Sequence, residues 1–294
     1  NPRLLIWRVF PYIGCKNFFA FLLSRLQFTV LDKKNSLFFM DNYCYETTCR
    51  ELKSTFKKRI LQIPIVVQEK KYVVERSRTV INITYIGRGS RIWKVKPVKK
   101  LVSDLKSIIN QDFHVHIFTD TNELFEAELK DLKGGNVAID YHFGYTMESL
   151  SQKLLELSDL HYSMGTACLE GAILGIPTII ADPSYSDFPE EYRYRWLIND
   201  ITNYAGRFFE EKTPQGHNLE EIINSVYNHQ ELQRISDATY NETVTNFSSK
   251  TIAKAIQRLE PWARVRDVVK YMPSYWLCGG PIHSTRLRRS RTAI

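Results

Sequence analysis

The segment His161 to Pro177, HYSMGTACLEGAILGIP, carries residues whose types and spacing suit binding of an anion and a sugar. A short apolar strand runs into Gly165-Thr166, where a helix begins that carries one acid, Glu170, about a turn further on. A glycine turn lets backbone N–H groups approach a phosphate, and the positive end of the helix dipole favours the anion. Glu170 can accept hydrogen bonds from an attached ribose. The segment therefore predicts a nucleotide-diphosphate site at the carboxyl edge of a parallel sheet.

A second group of residues, YIGRGSRIWK, follows an apolar strand that ends at Gly87. Its cations Arg88 and Lys94 are expected on a loop at the same sheet edge as Gly165. Two cations at this place would neutralise a diphosphate leaving group as the bond to it breaks.

Strands and helices must alternate to bring these two segments to one edge, and from Thr79 onward they do so regularly. Such alternation indicates right-handed crossovers and a parallel sheet, hence an α/β fold. Strands are predicted at 79–87, 113–120, 136–142, 159–163 and 177–183. Helices are predicted at 97–111, with Pro97 in the first turn, and at 121–135, 146–158, 167–174, 219–229 and 233–259.

The N-terminal part has the same alternation but is too short for a complete doubly wound domain. It predicts strands at 3–14 and 36–41, helices at 16–26 and 51–59, and an extended exit at 61–67. The predicted organisation is a partial α/β domain at 1–67, a polar linker at 68–78, a ligand-binding domain at 79–260 and a basic extension at 261–294.

The order of motifs, a strand with IGR and a following Lys and then GT, LEG and LGIP, resembles the nucleotide-sugar-binding domain of GT-B glycosyltransferases. The resemblance covers 79–259 and is nearest to bacterial polysaccharide and lipopolysaccharide enzymes. It implies a Rossmann-type donor domain, preceded by the end of an N-terminal acceptor domain. Because the chain begins at Asn1 and not at Met, a partial sequence is expected.

The resemblance also implies roles for single residues. Arg88 and Lys94 match the pair that contacts the donor phosphates, Gly165 and Thr166 match the phosphate-facing turn, and Glu170 matches the acid that binds the donor ribose. Many retaining members have a second Glu eight residues before that acid, where this chain has Tyr162. Retention or inversion is therefore left open, and the catalytic base is left unassigned.

Other polar residues near predicted strand ends have two interpretations each. Asp41 can be a catalytic acid or a strand-end turn residue, and His142 and His161 can face a substrate or satisfy the interior. Asp182 and Asp187 lie on the loop after the fifth strand of the regular region, which borders the same edge.

The predicted function is transfer of a sugar from a nucleotide-sugar donor to a polysaccharide or lipid-linked acceptor, without metal or cofactor. The sequence has no DxD, GxGxxG, GxxxxGK[ST] or GxSxG motif, which argues against dinucleotide oxidoreductases, P-loop NTPases and serine hydrolases. Two alternatives remain open: a nucleotide-sugar epimerase on the same fold, and a non-catalytic protein that binds nucleotide sugars or nucleic acid.

The distribution of charge limits the binding partners to be expected, and the cysteines indicate the cellular compartment. Net charge is +8, and the segment from Pro261 on has seven basic residues and one acid, so the rest of the chain is nearly neutral. This basic tail predicts either peripheral contact with an anionic membrane face or a solvated terminus. Nucleic acid is not expected, because no aromatic recognition motif accompanies the tail. Five cysteines without metal-type spacing, and an apolar stretch at 18–31 interrupted by Arg25, predict a cytoplasmic protein.

Overall fold

The computed structural model describes residues 6–8, 18–67, 69–74, 79–132, 134–208 and 216–259. They fall into two compact units. The larger unit is Pro64–Thr251, and the smaller unit takes the described residues 6–8, 18–63 and 252–259. Within the described ranges no helix has both the length and the apolar character needed to cross a membrane. The predicted basic extension lies outside the described residues.

Within the described residues, the smaller unit has two parallel strands and two helices in the predicted β–α–β alternation, together with the C-terminal part of a third helix, Ser249–Gln257. Its small core packs Phe38, Leu61 and Ile252 together. Its elements are β1 (Ile6–Arg8), α1 (Phe18–Lys33), β2 (Leu37–Phe39) and α2 (Asn42–Glu51).

The predicted helix at 51–59 is wrong, since α2 begins nine residues earlier. The Asp41 carboxylate caps it by accepting a hydrogen bond of 2.7 Å from the Cys44 N–H. Lys53 has φ of 47°, a left-handed conformation in which the helix cannot continue. Asp41 therefore acts as a helix cap at a strand end, the second of its two interpretations.

The larger unit is built on a six-stranded sheet with strand order β5-β4-β3-β6-β7-β8. All pairs are parallel except the last one, so the predicted α/β class with a Rossmann-type parallel sheet is confirmed. The strands are β3 (Val80–Ile86), β4 (Asp112–Phe118), β5 (Val137–His142), β6 (Leu160–Ser163), β7 (Thr178–Ile180) and β8 (Arg195–Trp196).

Helices lie in the connections between the parallel strands of this sheet. On β4, Phe113, Val115 and Ile117 are buried in the main core, which is what alternation along a strand requires. The helices are α3 (Ile92–Ser107), α4 (Glu123–Leu129), α5 (Met147–Leu157), α6 (Thr166–Ala172), α7 (Leu219–Tyr227), α8 (His229–Phe247) and α9 (Ser249–Gln257).

Helix α3 differs from its prediction, because it begins at Ile92 and places Pro97 in its interior. Proline has no N–H to donate to the carbonyl four residues earlier, that of Trp93. The Ser184 N–H donates to that carbonyl instead, at 3.1 Å. The tertiary contact thus replaces the missing helical hydrogen bond.

The predicted helix at 233–259 is two helices, α8 and α9, that meet at Ser248. Ser248 has ψ of 140°, which ends α8, and its hydroxyl accepts a hydrogen bond from the Thr251 N–H at 3.2 Å. The Ser249 N–H donates to the Ile65 carbonyl at 3.1 Å, so the break also anchors the segment that enters the larger unit.

Part of the predicted linker packs on the larger unit. Tyr72 and Val74 are buried in its core. The N–H groups of Lys71 and Tyr72 both donate to the Leu174 carbonyl, at 3.2 and 3.0 Å.

Candidate functional site

The strand order contains a reversal point between β3 and β6. From β3 the chain adds β4 and β5 on one side, and it then crosses to add β6 and β7 on the other side. In open α/β sheets, ligands bind at the carboxyl ends of the two strands that flank such a point. Arg88 follows β3 and Gly165 follows β6, as the sequence predicted. The Ser163 hydroxyl donates to the Ile86 carbonyl at 2.8 Å and ties the two strand ends together.

Arg88 and Lys94 form a pair of cations at this edge. Arg88 is exposed and Lys94 is half-buried. Burial and, after it, the nearby Arg88 charge lower the pKa of Lys94, while Asp120 acts in the opposite direction. Among the described residues, no carboxylate forms an ion pair with either cation. The pair is thus suited to an anion supplied from outside.

Lys94 was expected on a loop, and this was wrong: it lies in the first turn of α3, which starts five residues before the predicted helix. The Lys94 ammonium lies 5.3 Å from the centroid of the Trp93 ring, which contributes a cation–π contact. Lys94 lies at a helix N-terminus, where the positive end of the helix dipole also attracts an anion. The dipole therefore acts in the same direction as the charge of Lys94.

The loop that carries Arg88 is held by the loop after β4. The Gly89 N–H donates to the Asp120 carboxylate at 2.7 Å and to the Thr119 hydroxyl at 2.8 Å. Burial acts to raise the pKa of Asp120, but the hydrogen bonds from Gly89 and its neighbours lower it overall. A Cβ at Gly89 would overlap the Thr121 carbonyl oxygen, so only glycine allows this close approach.

The turn after β6 has the glycine conformation that the motif predicted. Gly165 has φ of 67°, which favours glycine, and its N–H donates to the Tyr204 carbonyl at 2.9 Å. No atom of the described residues lies within 4 Å of the position that a Cβ would take, so the surface of the turn is open in this part of the chain. Thr166, the first residue of α6, is exposed.

Glu170 lies on the same face of α6 as Thr166, because residues four apart share a helix face. Because side chains of a helix tilt toward its N-terminus, the Glu170 side chain is directed toward the end of α6 that carries the glycine turn. Glu170 is half-buried, and it has no hydrogen-bond or ion-pair partner within the described part of the chain. Burial raises its pKa. A desolvated acid without donors is suited to the hydroxyls of a ligand.

His161 has an interior role and does not reach the site surface. Its Nε2–H donates to the Ala167 carbonyl at 2.8 Å, and its Nδ1 accepts from the Thr84 hydroxyl at 2.9 Å. Burial lowers the pKa of His161 to about 4, so the ring is neutral at physiological pH. Because Ala167 is in the first turn of α6, His161 positions the helix that carries Glu170.

The two acids after β7, Asp182 and Asp187, both form ion pairs with basic side chains of the protein. Asp182 is 1% exposed, forms an ion pair with Arg195, and accepts hydrogen bonds from the Tyr192 hydroxyl at 2.9 Å and the Arg207 N–H at 2.7 Å. Asp187 is exposed and pairs with Lys96 at 2.9 Å. Both acids therefore hold the loop together. The sequence did not reveal Arg195 as the partner of Asp182, because a buried arginine carries no local signal.

Tyr162 and His142, which the sequence also singled out, both pack against other aromatic rings. Tyr162 is fully buried, and its ring packs 6.2 Å from that of Tyr85 and 5.9 Å from that of Tyr194, so its position faces the core. His142 is not isolated, because it contacts His116, and the His116 ring packs in a tilted arrangement against that of His114, with 4.0 Å between the ring centroids. Sequence reasoning missed this group, although its alternate spacing on two strands, HVH and DYH, was a visible signal.

Comparisons with known proteins agree on the fold. No protein-family model matches the chain, and no curated protein matches it either. Among solved structures, the chain is similar to a mutant of S. aureus TarM in complex with fondaparinux, alpha-GlcNAc-glycerol and UDP, with 14% identity over 87% of this chain and 50% of that chain and a TM-score of 0.50. It is also similar to WaaG, a glycosyltransferase involved in lipopolysaccharide biosynthesis, with 14% identity over 88% of this chain and 78% of that chain and a TM-score of 0.50.

These similarities concern the fold, and the resemblance to GT-B glycosyltransferases that the motifs indicated is confirmed at this level. The chain spans about half the length of the TarM structure.

Proposed function

We propose that this chain is a glycosyltransferase that binds a nucleotide-sugar donor at the carboxyl ends of β3 and β6 and transfers the sugar to a polysaccharide or lipid-linked acceptor. The observation that carries the proposal is the pair Arg88 and Lys94, two cations without an ion-pair partner among the described residues, beside the open turn at Gly165. Two structures of similar fold support it, since TarM was solved with UDP and WaaG is involved in lipopolysaccharide biosynthesis.

The two cations stabilise the negative charge that develops on the departing diphosphate. Lys94 is half-buried, and a charge in a site of lower effective dielectric acts more strongly on its neighbours. The glycine turn lets the phosphates approach the backbone, and in this proposal cations and helix ends provide the neutralising charge without a metal or cofactor.

Glu170 binds the ribose of the donor. Its carboxylate is half-buried, lacks a partner among the described residues and shares a helix face with the exposed Thr166. Hydroxyls of the ribose supply the donors that the protein does not. The predicted acceptor side belongs to the smaller unit, and contact of the basic tail with an anionic membrane stays a prediction about residues outside those described.

Calorimetry with the full chain tests the donor site. UDP, GDP, ADP and CMP conjugates are screened first, and the best nucleoside diphosphate is then compared with its nucleoside. Arg88→Ala and Lys94→Ala are each expected to weaken diphosphate binding about tenfold, because one charge-assisted contact is lost, and to leave nucleoside binding nearly unchanged.

Lys153→Ala is the matched control, since it removes the same charge from α5, where Lys153 pairs with Glu156. Equal weakening of diphosphate and nucleoside would mean that the two cations support the fold and not the phosphates. If Lys153→Ala lost as much diphosphate affinity as Arg88→Ala and Lys94→Ala, the loss would be explained by net charge alone.

A donor-conversion assay separates the proposed activity from its alternatives. A transferase releases nucleoside diphosphate only when an acceptor fraction is present, whereas an epimerase rearranges the donor without any acceptor. A protein that binds the donor and converts it in neither experiment is a binding protein, and the proposal is then wrong.

A further inference from the structure

Four side chains with metal-binding atoms lie on one face of the sheet, near its edge strand β5. His114 and His116 are two apart on β4, and Asp140 and His142 are two apart on β5. Residues two apart share a face of a strand, and the parallel register pairs His116 with Asp140. The other face of β4 is buried in the main core. The alternation therefore gathers all four groups on the opposite face of β4 and β5.

The donor atoms of these groups are close to one another. His114 Nε2 lies 2.8 Å from Asp140 Oδ2, and His116 Nδ1 lies 3.2 Å from His142 Nε2. One ligand atom from each of His114, His116 and Asp140 falls within a group whose members lie within 4.8 Å of one another. An ion with bonds of about 2.0–2.2 Å holds its ligand atoms roughly 3–4 Å apart, so small side-chain rotations suffice.

We propose that His114, His116 and Asp140 form a binding site for a divalent transition-metal ion, with Zn²⁺ as the ion that fits best and with His142 next to His116. Imidazole nitrogens together with one carboxylate suit zinc, whereas magnesium and calcium prefer oxygen ligands. The bound ion joins the edge strand β5 to β4. The site is separate from the proposed donor site, which lies at the carboxyl ends of β3 and β6.

Two residues behind the proposed site, Asn82 and Asp159, already orient the ring of His116. Asp159 accepts hydrogen bonds from the Asn82 N–H at 2.8 Å and from the Asn82 side-chain amide at 3.2 Å. This turns the amide oxygen of Asn82 toward His116, whose Nε2 lies 3.2 Å away and donates to it. His116 then presents the lone pair of Nδ1 to the site. Histidines that bind metals commonly donate their other ring N–H in this way.

Access to solvent also suits a metal site. The side chains of His114 and Asp140 are 29% and 57% exposed, so an ion can enter from solvent.

Zinc titration of the full chain after dialysis against a chelator tests the site. We expect one Zn²⁺ per chain by calorimetry, with a rise in melting temperature, because an ion that binds the folded state stabilises it. His114→Ala and Asp140→Asn each weaken zinc binding about tenfold or more and remove most of the thermal shift. Asn82→Ala weakens it less, since Asn82 only orients His116.

His217→Ala is the matched control, because His217 lies outside the cluster and has its own acidic neighbour, Glu221, at 3.3 Å. Circular dichroism verifies that each variant folds, and Asp140→Asn keeps the shape of the side chain. The proposal is overturned if folded His114→Ala and Asp140→Asn bind zinc as the wild type does. It is also overturned if the wild type binds none, or if His217→Ala alone removes the binding.

Discussion

Two groups of charges near the carboxyl edge of the sheet differ in how they are neutralised. After β7, Asp182 and Asp200 share Arg195, which is 4% exposed, and the Tyr192 hydroxyl also donates to Asp182. At the ends of β3 and β6, Arg88, Lys94 and Glu170 have no ion-pair partner among the described residues. Charged groups that are neutralised within the protein maintain its structure. Groups left without partners at a topological reversal point are the ones available to a ligand.

The largest expected effect is on the free energy of unfolding, when the buried ion pair between Arg195 and Asp182 is broken. Arg195→Leu leaves Asp182 buried without its counter-ion, and removing one partner of a buried pair costs about 3–5 kcal/mol of the free energy of unfolding. Arg88→Ala, at an exposed and unpaired position, is expected to change it by no more than about 0.5 kcal/mol. Urea unfolding of both variants measures the contrast. Similar losses in the two would show that Arg88 is also part of the structural framework.

A smaller effect concerns His161, the buried residue of β6 that positions α6. The pKa of His161 is about 4 in the folded protein and, as for an ordinary histidine, about 6.5 in the unfolded chain. Between these values the unfolded state binds more protons, so stability falls as the pH is lowered. From pH 7 to pH 5, His161 is expected to remove about 2 kcal/mol from the free energy of unfolding.

Urea unfolding at the two pH values measures this loss, and His161→Gln removes the contribution. The variant should therefore show a shallower dependence of stability on pH than the wild type. An unchanged slope in His161→Gln would mean that the ring is not held neutral by its burial beside α6.

The smallest expected effect concerns the uncompensated acid. Glu170→Gln should weaken nucleotide binding about tenfold, or about 1.4 kcal/mol, and leave the melting temperature nearly unchanged, because Glu170 has no partner to lose among the described residues. Burial raises the pKa of Glu170, so wild-type affinity should decline on the acidic side as the carboxylate is protonated. Calorimetry at several pH values measures both, and the variant should lack this acidic decline. Equal affinity of wild type and variant would remove Glu170 from the site.

The sheet and its edge could be predicted because their signals are local. Alternating apolar strands and helices from Thr79 onward determine a parallel sheet, and the glycine turn at Gly165 with Glu170 behind it is visible in one short segment. The boundaries of α2 and α3 could not be predicted as readily. Asp41 caps α2 through one hydrogen bond, and Pro97 is accepted inside α3 because Ser184, far along the chain, takes the free carbonyl of Trp93.

Residue types and their spacing were enough to predict the α/β class and the two strands that Arg88 and Gly165 follow, while the role of Glu170 stays a prediction. Tertiary structure alone decided which charges remain available. Asp182 and Glu170 are both acids near the same sheet edge, yet among the described residues only Asp182 has an arginine, Arg195, brought against it by folding. Likewise, His142 acquired His114 and His116 as neighbours only when β4 and β5 paired. Partners distant in sequence determine whether a charge is neutralised, and periodicity along one segment carries no information about them.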